Sequence, residues 1–119
     1  MRRRKRGARA VSQPVLIKAY AALSGASEAL AEKVAALGRE ACPPSAFSSS
    51  LDSGMLQIAF EGVWLPEEEI LDALREEPLT GKLDALDIEN WALRRYVFNN
   101  GRMESKRGSL NNALDYSGF

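Results

Sequence analysis

At 119 residues, with 45% hydrophobic and 27% charged side chains, the chain is sized for one domain with a modest core. It has no histidine and one cysteine, which excludes Ser-His-Asp and Cys-His catalysis, an internal disulfide and a Cys/His zinc cluster. Sixteen basic and sixteen acidic residues cancel overall, but they are segregated along the chain.

The first ten residues carry six cations, Arg2, Arg3, Arg4, Lys5, Arg6 and Arg9, and no acid. Like charges this dense repel and no apolar periodicity accompanies them, so 1–11 is expected as a disordered basic arm ahead of a single domain over 12–119. Such an arm is expected to neutralise phosphates, and it has no Asn, Cys or Ser among its cations to read base edges.

Leu16, Leu23, Leu30 and Leu37 then fall seven residues apart, which together with the arm raises the pattern of a basic-region zipper. Pro14 breaks the continuous helix that such a protein needs, the second stripe of the seam is Tyr20, Ser27 and Val34, and Ser24-Gly25 lies within it. The expectation is instead one long amphipathic helix from about 14 to 40, started by Ser12 and Pro14, packing on its own domain or on a neighbouring subunit. "CPPSAFSSSLDSG" ends it with two prolines and a serine-rich loop that Phe47 and Leu51 anchor, and leaves Cys42 an inert thiol near the helix end.

"MLQIAFEGVWL" is predicted as the first strand, because Leu56, Ile58 and Phe60 alternate with Met55, Gln57 and Ala59 between Gly54 and Gly62. "LPEEEILDALREEP" predicts a compact helix, with Pro66 in its first turn, Glu67, Glu68 and Glu69 at the positive end of the dipole, and Pro78 beyond its end. Residues 83–88 are taken as irregular or a single turn, followed by a strand from about 89. The carboxylates Asp84, Asp87 and Glu89 lack the glycine and spacing of a calcium loop, and no metal site is expected.

Two extended runs meet at Asn100-Gly101, the dipeptide of a type I′ hairpin turn. Counting outward pairs Phe98 with Met103, Tyr96 with Ser105 and Arg95 with Lys106. Tyr96, Phe98 and Met103 then share a face suited to packing on helices, and Arg95 opposes Lys106, which is unfavourable without an acidic group nearby. Ser109 is expected to cap a short terminal helix.

The fold expected is α+β: a long N-terminal helix, a small, largely antiparallel three-stranded sheet with a C-terminal hairpin, and two short helices. No apolar run approaches the ~20 residues that span a bilayer and no glycine-rich phosphate loop is present, so a cytoplasmic protein without membrane, cofactor, metal or small-molecule substrate is expected. Function is read as a non-enzymatic accessory subunit of a macromolecular assembly, nucleoprotein or phage-like. Its partners are another protein, its own copies, or nucleic acid through phosphate contacts. The cations of the arm with Arg94, Arg95, Lys106 and Arg107 would hold a polyanion, while Glu67, Glu68, Glu69, Trp64 and Trp91 would meet a protein partner. Two other functions fit the charge pattern: a nucleic-acid-binding regulator using arm and hairpin, and an acidic mimic of nucleic acid using 61–90, where ten acids face only Arg75 and Lys82.

Overall fold

The structure, a computed structural model, describes residues 15–111. The arm, Pro14 and most of the expected terminal helix lie outside the described residues.

Ile17, Ala19, Ala21 and Leu23 point to one side and Lys18, Tyr20, Ala22 and Ser24 to the other, and this period of two forms a strand, β1 (Ile17–Ser24). Gly25, at φ 88, turns the chain, and Ser27 caps helix α1 (Glu28–Ala41) by accepting the Leu30 N–H at 3.1 Å. The long helix over 14–40 is thus corrected to a strand, a turn and a shorter helix. Leu23 and Leu30 are both fully sequestered, one from the strand and one from the helix, so their seven-residue spacing marks no seam.

The serine-rich segment is no loop but strand β2 (Phe47–Asp52), joined through Ser53 (φ 54) and Gly54 (φ 80) to β3 (Met55–Gly62), the strand that the alternation predicts. Helix α2 (Glu67–Leu74) follows as expected, with its three glutamates in the first turn. Residues taken as irregular form β4 (Thr80–Asp87), whose Leu83 and Ala85 reach the core. The hairpin of β5 (Ala92–Asn99) and β6 (Arg102–Ser109) has the predicted register, Phe98 with Met103, Tyr96 with Ser105 and Arg95 with Lys106.

One six-stranded antiparallel sheet results, in the order β2-β3-β1-β4-β5-β6, where three strands were expected. Its first four strands with α1 and α2 form two interleaved, ferredoxin-like split βαβ units, and the hairpin widens them. β1 lies between β3 and β4, a position with neighbours on both sides that overrides the helix propensity of its alanines.

Both helices cover one face. Under them lie Leu23, Leu56, Phe60, Leu74, Leu83 and Phe98, each almost wholly buried, and Val34, Ile70 and Leu79 complete the interior. α1 approaches so closely that a Cβ on Gly38 would fall 2.2 Å from the Phe47 ring. Gly81 has a stricter requirement, since its φ of 149 is joined to backbone contact: a Cβ there would meet the Ala22 carbonyl oxygen at 2.1 Å. No helix among the described residues is long and apolar enough to cross a membrane.

Candidate interaction site at the tryptophan end of the sheet

The register brings five strand termini to one end of the sheet. Ile17 pairs with Gly62 and Asp87, Asp87 with Ala92, and Ala92 with Ser109. Leu16 prolongs β1 there, donating to the Gly62 carbonyl at 2.9 Å and accepting from Ile88 at 2.8 Å. Beyond this row lie Val15, Val63, Trp64 and Trp91. All four are exposed, the tryptophans most of all, Trp64 at 58% and Trp91 at 51%. Neither tryptophan therefore belongs to the core.

A cavity of about 450 Å³ opens beside Trp64, between the first turn of α2 and the helix-side face of β5 and β6. Ile17, Leu65 and Leu71 give it an apolar floor, and Glu67, Glu68, Glu69, Arg94, Tyr96 and Arg107 surround it. Arg94 and Tyr96 share a face because they are two apart on a strand, and α2 sets Glu67 against both. The Arg94 guanidinium grips Glu67 with Nη2 at 2.7 Å and Nε at 3.1 Å, and the Tyr96 hydroxyl donates to the same carboxylate. A second acid, Asp87, lies 3.6 Å from Arg94 and accepts from the Asn90 backbone and side chain.

Burial by itself would raise the Glu67 carboxyl, but hydrogen bonds from Arg94 and Tyr96 and the charges of Arg94 and Arg107 outweigh it and hold the group below the usual range. Asn90 and then Arg94 depress Asp87 likewise. Its bond to Glu67 holds Arg94 above its ordinary value, while burial, then Glu67, pushes Tyr96 up. Glu67, Asp87 and Arg94 are thus held charged and Tyr96 protonated in an internally satisfied lock, with no acid of the cluster poised near neutral pH for proton transfer. Arg107 differs. Its charge reaches Glu67, but among the described residues it has no hydrogen bond or ion pair.

Six predicted contacts, Trp64, Glu67, Glu68, Glu69, Arg94 and Arg107, therefore meet in one cavity. Arg95 and Lys106 do not. They project from the opposite sheet face, where Asp84 supplies the acidic group that their opposition requires, bonding Arg95 at 2.6 and 2.7 Å. Trp91 stands at the same sheet end in the β4–β5 turn, its indole donating to the Asn111 side chain at 2.8 Å. Arg2, Arg3, Arg4, Lys5, Arg6 and Arg9 lie outside the described residues. Sequence reading missed Asp87 and Tyr96 as members of the cluster. Tyr96 was legible, because any residue two from Arg94 on a strand must share its face; Asp87 depended on the β4–β5 pairing.

Cys42 ends α1 as expected, buried, and its burial raises the thiol. Among the described residues no group of three His, Cys, Asp or Glu is placed to hold a metal. Comparison of the chain with protein families, with characterised proteins and with solved structures finds no match.

Proposed function

We propose that the protein is a non-enzymatic interaction module that docks on a polyanionic macromolecule, gripping phosphates with its basic arm and seating the tryptophan end of the sheet against the same partner. One observation carries this reading. Val15, the first described residue, lies at the end of the sheet that exposes Val63, Trp64 and Trp91, and six cations precede it within fourteen residues of sequence. Arg107, which has no ion pair among the described residues, adds a cation at that end. Arginine and tryptophan are the residue types that anchor binding surfaces, and aromatics stack on bases without sequence preference.

The acidic block supports an acidic mimic less well. Seven of its ten acids have internal partners: Glu61 with Tyr20, Glu67 with Arg94, Asp72 with Arg75, Glu76 with Lys33, Glu77 with Ser27, Asp84 with Arg95 and Asp87 with Asn90.

The test is a salt titration of binding to a single-stranded oligonucleotide, followed by tryptophan fluorescence. Each phosphate contact contributes roughly 0.7 to the logarithmic salt slope, so neutralising the six arm cations should flatten it by several units while the melting temperature stays unchanged. Trp64→Ala should weaken binding about tenfold at unchanged slope. Equal slopes with and without the arm cations would refute the reading.

A further inference from the structure

Beyond docking on a polyanion, we propose that β2 is a dimerisation edge, along which two copies of the chain join their sheets about a two-fold axis at Ser49. Among the described residues the sheet has two unpaired edges, and they differ in chemistry. β6 displays Arg102, Lys106 and Arg107 against Glu104, a mostly cationic rim that opposes pairing with its own copy. β2 reads Phe-Ser-Ser-Ser-Leu-Asp, without proline, glycine or cation, and its single charge, Asp52, stands at the turn. Nothing in its composition blocks another strand.

The turn determines which groups are free. With Ser53 and Gly54 both at positive φ, the two-residue turn makes Asp52 and Met55 a hydrogen-bonded pair, and the alternation continues through Ser50 with Gln57 and Ser48 with Ala59. Glu61 donating to the Ala46 carbonyl at 3.0 Å fits the same alternation. The N–H and C=O groups of Phe47, Ser49 and Leu51 therefore point away from β3. An antiparallel copy centred on Ser49 would satisfy these groups on both chains with about six backbone hydrogen bonds.

The side chains are self-complementary in that register. Phe47 opposes Leu51 of the second copy, twice by symmetry, and both are only half-buried in the single chain although they pack on its core. Ser48 opposes Ser50 on the other face, and Asp52 opposes Ala46, so no like charges meet. Apolar side chains cover apolar side chains, small polar ones face each other, and the product is a continuous twelve-stranded sheet.

Sedimentation over a range of protein concentrations should give the mass of two chains for the wild type. Ser49→Pro removes an outward N–H that the single chain does not use, and should raise the dimer dissociation constant at least about tenfold. Should proline unfold the strand, as circular dichroism would reveal, a charge pair decides instead. Ser48→Lys with Ser50→Lys should be monomeric, as should Ser48→Glu with Ser50→Glu, and mixing the two should restore a dimer. Ser49→Cys should cross-link to itself under mild oxidation, since opposed residues in such a pair lie about 5.5 Å apart, within disulfide reach, while the buried Cys42 keeps the wild type uncross-linked. A wild type that is monomeric at every concentration overturns the proposal. So does a dimer that survives both the folded proline variant and the charged pairs, because its interface must then lie elsewhere.

Discussion

Trp91 occupies a left-handed backbone position, φ 54, in a turn where glycine or asparagine would sit with less strain. A bulky side chain there costs roughly 1–2 kcal/mol, and half of its surface is exposed to water rather than recovered by burial. Strain of this kind concentrates where a side chain is needed for something other than folding. Trp91→Gly is accordingly expected to keep the melting temperature within a few degrees, the relief of strain offsetting the lost bond to Asn111, while weakening oligonucleotide binding about tenfold. Unchanged binding with a much lower melting temperature would make the residue structural. Glu67 has the opposite character, a side chain only 17% exposed and fully engaged. Glu67 and Asp87 are both depressed in the fold, so as pH falls the unfolded chain, with values near ~4.3 and ~3.9, takes up protons first. Their stabilisation is complete above about pH 5 and disappears as pH drops through the lower folded values. Denaturant melts from pH 7 to 2.5 should show Glu67→Gln losing about 2 kcal/mol at neutral pH and having a shallower acid limb, the remainder belonging largely to Asp87.

Among the elements, the ones legible in sequence were those whose signal is local. The β5–β6 hairpin announces itself in Asn100-Gly101, α2 in Pro66 and its glutamates, and β3 in strict alternation. β1 was misread because "IKAYAALS" satisfies two periods at once: alanine fits either, and only the partners on both sides decide. β2 was hidden by serine, a turn former that here fills an edge, and β4 by the mixed pattern of "TGKLDALD". The candidate site was legible as a set of residue types, but not as a place, since Trp64, Glu67, Arg94 and Arg107 meet only through strand order. The element assignment has a direct consequence for mutants. Leu23→Ala and Leu30→Ala should each cost about 2–5 kcal/mol, with melts that stay cooperative, because both residues fill the same core from different elements. A zipper would instead show the two losses as a shift in helix content.

At the scale of the whole molecule, the charge segregation between 61–90 and the following hairpin is partly absorbed by the fold. The −8 net charge of 61–90 is partly consumed by arginines brought from the following hairpin, Arg94 to Glu67 and Arg95 to Asp84, which turns an apparent docking block into internal fastening. What this leaves at the sheet end is Val15, two tryptophans and Arg107, with Glu68 and Glu69 on the rim of the same cavity. The position of β1 has a consequence for the way the chain must be made. The first strand among the described residues occupies the middle of the sheet, and its last partner residue, Asp87 opposite Ile17, is synthesised 70 residues after Ile17. Until then a half-apolar strand has no complete pair of neighbours, so the sheet cannot close before β4 is made, and pairings this distant in sequence slow its folding.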